Sequence, residues 1–273
     1  MKLGPYAGAT DPGRRRRGNE DAYVLEPPLF AIADGMGGAQ AGEVASSLAA
    51  AVLEEARGDA ERGEDRVEAL IQEANRRVFQ RSSEDEATSG MGTTMTVALL
   101  DADGGTIAFG HVGDSRAYRL RGGELEQLTD DHSLVGELVR SGKLSPEEAE
   151  THPQRSVITR ALGTEPDVDV DTFTVEPEPG DVYLLCSDGL TDMISSGEIR
   201  EVVGEADDLD RAARALVDAA NAGGGEDNIT VVLARFSGND LQEPASERIT
   251  IELPPMEEDS TLGDTEPPTE PTP

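Results

Sequence analysis

The chain has 273 residues, 56 acidic against 23 basic, for a formal charge of -33; a field of that sign repels nucleic acid and anionic membrane alike, and neither is an expected partner. Its length can bury a substantial core, in one compact domain with a tail or in two small domains. Cys186 is the single cysteine, so no internal disulfide forms and nothing argues for an oxidising compartment. No basic-then-apolar leader precedes the first strand, and no apolar run nears the roughly 20 residues that span a bilayer. A cytoplasmic chain without a membrane span is therefore expected. Only Lys2 and Lys143 are lysines; arginine bias with surplus carboxylate fits a salt-rich cell interior and fits genome composition equally.

Taken from the N-terminus, "AYVLE" and "LFAIAD" read as strands around a Pro-Pro turn, and "AQAGEVASSLAAAVLEEA" has the small and aliphatic spacing of an amphipathic helix. A second helix is predicted around Val67 to Arg81. The stretches "TTMTVALLD", "TIAFGHVGD", "SRAYRLRG" and "ELEQLT", joined by glycine turns, read as an antiparallel meander. Residues 132–153 are helical, polar and broken by Gly and Pro, as a lid or small inserted subdomain would be. "VDVDTFTV" and "DVYLLCSDGL" give further strands, "SGEIREVVGE" and "DLDRAARALVDAANAG" two helices, and "NITVVLARF" the last strand. Strands do not alternate singly with helices, so an α+β fold is predicted rather than a doubly wound sheet: two antiparallel sheets covered by helix pairs. Residues 237–273 carry ten acids and one base and are rich in Pro and Thr, which predicts a disordered tail. Within it "RITIEL" at 248–253 alternates weakly enough to be read as tail too.

Asp34, Asp114, Asp188 and Asp227 each lie at the end or start of a predicted strand beside glycine, and Asp21 precedes the first strand. Singly, Asp beside Gly is an ordinary turn signal. Together they are five acids at the rim of a core, which would repel one another unless a cation neutralised them. Oxygen ligands with no Cys or His beside them select Mg²⁺ or Mn²⁺ over Zn²⁺. Arg16, five residues before Asp21, is a candidate for gripping an anion held by such ions; Arg14, Arg15 and Arg17 read as a solvated basic patch.

The motifs "RRGNEDA", "ADGMGG", "MGTTMTVALL", "GDSRAY", "THPQRSVITRALG", "LCSDGLTDM" and "GGEDNITVV" occur in the order found in metal-dependent protein serine/threonine phosphatases, the PPM or type 2C family, and the chain most resembles its bacterial branch over roughly residues 5 to 236. The resemblance implies a central β-sandwich flanked by helix pairs, with 1–236 as the phosphatase domain and 132–153 as the flap that helps choose substrates. It implies that Asp34 bridges two metal ions, that the Gly35 carbonyl binds one of them, and that Asp188 and Asp227 bind the other. Glu20 and Asp21 match residues that hold metal-bound waters, Asp114 with Asp188 resembles a third, weaker metal site, and Arg16 matches the arginine that binds the substrate phosphate. Mn²⁺ or Mg²⁺ is the expected cofactor, and a monomer acting on phosphoproteins, a Ser/Thr kinase and its targets among them, is the expected form.

On this reading two divalent ions lower the pKa of a shared water from about 16 towards 7, and the hydroxide attacks phosphoserine or phosphothreonine in line while the metals and Arg16 neutralise the phosphoryl oxygens. Animal members place a histidine two residues after the bridging Asp; here that residue is Met36, which leaves the proton donor unassigned. His111 reads as a satisfied core histidine, and His152, before Pro153, as structural. The alternative is an inactive, metal-binding relative that serves as a phosphoprotein sensor or adaptor. Cys186 lacks a suitably spaced arginine for nucleophilic chemistry, "DVDVDTF" lacks the Thr or Val of haloacid-dehalogenase-like phosphatases, and "GMGGAQ" lacks the last glycine of a dinucleotide loop. Thr261, three residues before Asp264, fits the preference of phosphothreonine-binding forkhead-associated domains, a candidate tail partner.

Overall fold

The computed structural model describes residues 2–238 apart from 38–40, 57, 59 and 85, with the backbone alone for Glu147 and Glu150. The expected tail beyond Gly238, with "RITIEL" and Thr261, lies outside the described residues. In chain order the elements are β1 (Lys2–Asp11), β2 (Asp21–Glu26), β3 (Leu29–Met36), α1 (Ala41–Ala56), α2 (Glu64–Glu84), β4 (Gly92–Thr93), β5 (Met95–Asp101), β6 (Thr106–Val112), β7 (Arg116–Arg121) and β8 (Glu124–Gln127). There follow α3 (Leu134–Arg140), α4 (Pro146–Glu150), β9 (Asp171–Val175), β10 (Val182–Cys186), α5 (Asp188–Thr191), α6 (Ser196–Gly204), α7 (Leu209–Gly223) and β11 (Ile229–Ser237).

Among the described residues the strands form two antiparallel sheets, one ordered β1-β11-β10-β7-β8 and the other β2-β3-β5-β6-β9 with β4 beside β3. Helices α1 and α2 cover the outer face of the second sheet through Ala45, Ala49, Leu53, Val67, Ile71 and Val78. Helices α6 and α7 cover the first through Ile199, Val203, Ala213 and Leu216. The result is the expected αββα sandwich. Ser195 and Glu198 close a capping box at the start of α6, and the Asp208 carboxylate accepts the first amides of α7. Residues 132–153 hold two short helices, α3 and α4, each opened by a serine cap, Ser133 and Ser145.

Side chains of a strand alternate between its two faces, and this parity organises the interior. In β3, Leu29, Ala31 and Ala33 face the helices, while Phe30 and Ile32 enter the gap between the sheets. In β11, Ile229, Val231 and Leu233 face the helices, while Val232, Ala234 and Phe236 enter the gap. The gap is apolar at one end, where Phe109 stacks on Phe173 with centroids 5.1 Å apart and Tyr183 meets Phe236 edge-on at 5.4 Å. Towards the other end the same faces carry Asp21, Asp34, Thr96, His111 and Thr230.

Two features depart from the sequence reading. Strand β1 was not foreseen: Gly4, Pro5 and Gly8 break its pattern and only Ala7 is buried, yet it pairs with β11 from Lys2 opposite Ser237 to Asp11 opposite Ile229. The predicted meander also divides. β5 and β6 pair in one sheet and β7 and β8 in the other, so the chain crosses the sandwich at residues 113–115.

His111 is a core histidine, as expected. In the neutral ring Nε2–H donates to the Asp130 carbonyl (3.1 Å), which leaves Nδ1 to accept from the Thr96 hydroxyl (2.9 Å). Burial, reinforced by the neighbouring His132, pushes its pKa down to about 4. A histidine held below its unfolded value stabilises the fold above pH 6.5, and that contribution is lost as pH falls from 6.5 through about 4. Urea unfolding in chelator should therefore show the stability of wild type relative to His111→Asn falling by about 3 kcal/mol between pH 7 and pH 4; a pH-independent difference would refute this assignment.

Candidate metal centre

The acids gather at the polar end of the sandwich because strand parity and strand ends put them there. Asp34 continues the gap-facing row of Phe30 and Ile32, and Asp21, at the start of β2, lies directly opposite it in the ladder. Asp114 sits in the crossing after β6. Asp188 opens α5 immediately after β10, and Asp227 stands two residues before β11. Burial, then the charges of Asp21, Asp188, Asp114 and Asp227, hold the Asp34 carboxyl well above its ordinary range. Asp188 is driven up in the same way, by burial and then by Asp114, Asp192, Asp227 and Asp21. Asp114 is pushed up to about 7, by burial first and Asp131 next, against the opposing charge of Arg116. Asp21 is pushed up to about 6, chiefly by burial. The structure thus brings together all five sequence-predicted aspartates from segments far apart in the chain.

Three of them, Asp21, Asp114 and Asp188, leave a buried Oδ1 with no hydrogen-bond partner. Orphaned buried oxygens are rare and costly, and those of a carboxylate suit a hard cation. Among the described residues no three His, Cys, Asp or Glu side chains already form a group ready to hold an ion. The arrangement is a neighbourhood of mutually repelling oxygens whose chemistry fits Mg²⁺ or Mn²⁺.

Space around these oxygens is kept by glycine. A Cβ on Gly42, in the first turn of α1, would lie 2.8 Å from the Gly35 carbonyl oxygen and 2.9 Å from the Glu20 carboxyl carbon. One on Gly189 would lie 2.0 Å from the Asn228 carbonyl oxygen. The Gly35 N–H donates to the Glu20 carbonyl (3.1 Å), which fixes Glu20 beside the Asp34 strand. Burial raises the Glu20 carboxyl, against the charge of Arg16.

Arg16 is half exposed at the rim. Its Nη2 donates to Asp227 Oδ2 (2.6 Å) and its Nη1 lies 3.7 Å from Glu20 Oε2. Arg14, Arg15 and Arg17 are exposed, as expected of a solvated patch.

Three residues escaped the sequence reading. Asn228 stitches the arginine loop to the acids: its Oδ1 accepts the Glu20 N–H (2.8 Å), its Nδ2 donates to the Pro12 and Gly18 carbonyls (3.0 and 2.9 Å), and its own N–H donates to Asp227 Oδ1 (2.8 Å). Ser187 donates to Asp21 Oδ2 (2.9 Å) and accepts the Thr230 N–H (3.0 Å). Asp192, directly after α5, adds a further acid near Asp114 and Asp188. Asn228 and Asp192 lie within "GGEDNITVV" and "SDGLTDM" beside the strand-end aspartates, but nothing in those stretches marks which distant groups they meet.

The near misses resolve as core or surface chemistry. Cys186 is fully buried in β10 and burial pushes its thiol up to about 12, far from a nucleophile. Asp171 of "DVDVDTF" begins the edge strand β9 and pairs with Arg160 and His132. His152 is bound locally, its Nδ1 accepting the Gln154 N–H (3.2 Å).

The family profile described as protein phosphatase 2C matches residues 18–229. A Listeria monocytogenes protein named serine/threonine phosphatase stp is 43% identical over 235 residues, which cover 82% of this chain and 92% of that one. The crystal structure of the Mycobacterium tuberculosis serine/threonine phosphatase PstP/Ppp is similar with a TM-score of 0.82 at 39% identity, over 87% of this chain and 100% of that one. The catalytic domain of serine threonine protein phosphatase PstP, solved in complex with 2 manganese ions, gives a TM-score of 0.80 at 38% identity, over 86% of this chain and 99% of that one. With the family profile spanning most of the sandwich and relatives this similar over four-fifths of its length, the chain belongs to the protein phosphatase 2C family.

Proposed function

We propose that this chain is a metal-dependent protein serine/threonine phosphatase, acting on phosphoserine and phosphothreonine in proteins marked by Ser/Thr kinases. The observation that carries the reading is the convergence of five aspartates, three with orphaned buried oxygens, in a member of a phosphatase family. Asp34, the Gly35 carbonyl, Asp188 and Asp227 would hold two divalent cations, Mn²⁺ or Mg²⁺. Asp114 with Asp188 would hold a weaker third, and Glu20 and Asp21 would order water around them. Such cations, when bound, supply positive charge against phosphoryl oxygens and make water acidic enough to ionise near neutral pH.

The chain's own groups do the rest. Arg16 presents a planar fork of donors at the rim, suited to two phosphoryl oxygens at once. Its present partner, Asp227, is one of the carboxylates a cation would engage, so cation and phosphate divide an ion pair that already exists. Ser187 and Asn228 hold Asp21 and Asp227 in place, which limits reorganisation as charge develops. The flap, residues 132–153, supplies the surface on which substrates are chosen. Met36 offers no proton, and His111 and His132 are occupied by Asp130 and Asp171, which leaves protonation of the departing hydroxyl to water. The adaptor alternative is not favoured, since relatives of about this identity are named as phosphatases.

Two measurements test the reading. Wild type should hydrolyse phosphothreonine and phosphoserine peptides in preference to phosphotyrosine with Mn²⁺ or Mg²⁺, and not in chelator, while Asp34→Asn should lower kcat on the order of 10³-fold; equal inertness of the two proteins would overturn it. A carboxyl held above its ordinary 3.8 is tolerated when protonated and costly when ionised, so Asp188→Asn should help the metal-free fold increasingly as pH rises from 4 to 7. Differential scanning calorimetry in chelator at pH 7 should place Asp188→Asn roughly 2–4 °C above wild type, the shift that about 1 kcal/mol produces at this size. Added Mn²⁺ should raise the wild-type Tm and raise that of the variant less.

A further inference from the structure

The crossing from β6 to β7, which carries Asp114, is held from the foot of the flap. Gly113 has a φ of +113°, a backbone state that favours glycine, and a Cβ there would lie 2.6 Å from Thr94 Cβ. Both of its backbone polar groups go to one residue. The His132 backbone N–H donates to the Gly113 carbonyl (2.7 Å), and the Gly113 N–H donates to Nδ1 of the His132 ring (3.0 Å).

An accepting Nδ1 carries no proton, so the neutral ring bears its proton on Nε2. That N–H donates to Asp171 Oδ2 (3.1 Å). Arg160 Nη1 stands 3.0 Å from the same Nε2, but two donors cannot satisfy each other, and its hydrogens go to Asp171 Oδ1 (2.5 Å) and the Asp169 carbonyl (3.2 Å). Asp171 therefore fixes the tautomer that lets His132 grip Gly113. The ring is 3% exposed and packs against His111, centroids 4.7 Å apart.

His132 is also where the flap begins and returns. Ser133 caps α3 by accepting the Gly136 N–H (3.1 Å) and bridges to Ile158. The Thr159 N–H donates to the His132 carbonyl (2.8 Å), and the Leu134 N–H donates to the Val157 carbonyl (2.9 Å). Asp21 and Asp227 are held elsewhere, through Ser187 and Asn228.

We propose that His132 is a positioning residue that couples the flap to the weaker cation site: by clamping Gly113 it sets the Asp114 carboxylate, so that a cation on Asp114 and order in the flap support one another. This rests on the assignment of Asp114 as a metal ligand under the proposed function. Groups beyond the ligands that fix their orientation commonly govern metal affinity.

The test is Mn²⁺ titration calorimetry on the full chain, with hydrogen exchange followed by mass spectrometry. His132→Ala removes the ring acceptor; His132→Asn keeps one, its Oδ1 standing in for Nδ1. Asp171→Ala, whose side chain is half exposed on an edge strand, leaves the core intact but frees Arg160 to donate to Nε2, which drives the ring proton to Nδ1 against the Gly113 N–H. His132→Ala and Asp171→Ala should weaken the weakest Mn²⁺ site about tenfold or more, with the tighter sites within about threefold of wild type and His132→Asn restoring most of the loss. Filling that site should slow exchange across residues 133–160 in wild type and not in His132→Ala. Unchanged weak-site affinity in Asp171→Ala, or in a folded His132→Ala, would overturn the coupling, as would a wild type that takes up two ions and no third. A wild type that binds no Mn²⁺ would bring down the metal reading itself and the coupling with it.

Discussion

Repulsion between like charges, confined to one end of an otherwise apolar gap, is the constraint around which this molecule is arranged. Asp21, Asp34, Asp114 and Asp188 are each forced up in pKa by burial before any neighbour acts, and each then suffers from at least one other acid. Such a cluster opposes folding, because an ionised carboxylate out of water is costly unless paired. The sandwich tolerates it because the rest of the interior is apolar: aromatic and branched side chains line the gap from Phe30 to Phe236, and two helix layers cover the outer faces. Stability is supplied by the apolar end and spent at the acidic one, the usual relation between a scaffold and a strained functional site.

The framework around the acids is built from small and neutral parts. Glycines at 42 and 189 give room where a methyl group would strike a carbonyl, and the amide of Asn228 and the hydroxyl of Ser187 fix backbone and carboxylate positions without adding charge. Arg16 is a cation the chain contributes on the solvent side, where it pairs with Asp227 and stands near Glu20, and Arg116 opposes the rise of Asp114; neither bonds the buried Oδ1 atoms of Asp21, Asp114 and Asp188. The division is physically sensible: Arg16 stays half exposed at the rim, and carboxylate oxygens with no cysteine or histidine beside them have the ligand preference of a small hard ion.

Much of this was legible in the amino-acid sequence, and the failures share a cause. Strands β3, β10 and β11 announce themselves because each is a continuous apolar run interrupted or bounded by an acid, and α1 and α2 because apolar residues recur at helical spacing. Strand β1 was not legible: with Gly4, Pro5 and Gly8 its only order comes from pairing with β11 at the far end of the chain. The crossing at residues 113–115 was hidden because alternation reads the same whether the next strand joins its neighbour's sheet or the opposite one. For the acids, the strand-end pattern identified which residues would meet. It could not reveal the supports, because the bonds of Asn228 to Glu20 and of Ser187 to Asp21 link positions 208 and 166 residues apart and exist only once both sheets have closed.

The strict two-face alternation of β3 has an arithmetic consequence for how such a chain can change in length. A single residue inserted between Phe30 and Asp34 would turn Asp34 out of the gap and beneath the hydrophobic helices, because a one-residue slip exchanges every face of a strand. Two residues would restore its facing but carry it a full repeat along the sheet, out of step with Asp21. Lengthening is harmless only where no strand must count, as in the exposed glycine turn at 102–105 that joins β5 to β6. Insertions and deletions should accordingly collect in the turns, while the spacing from Phe30 to Asp34 stays fixed even as the side chains between are exchanged.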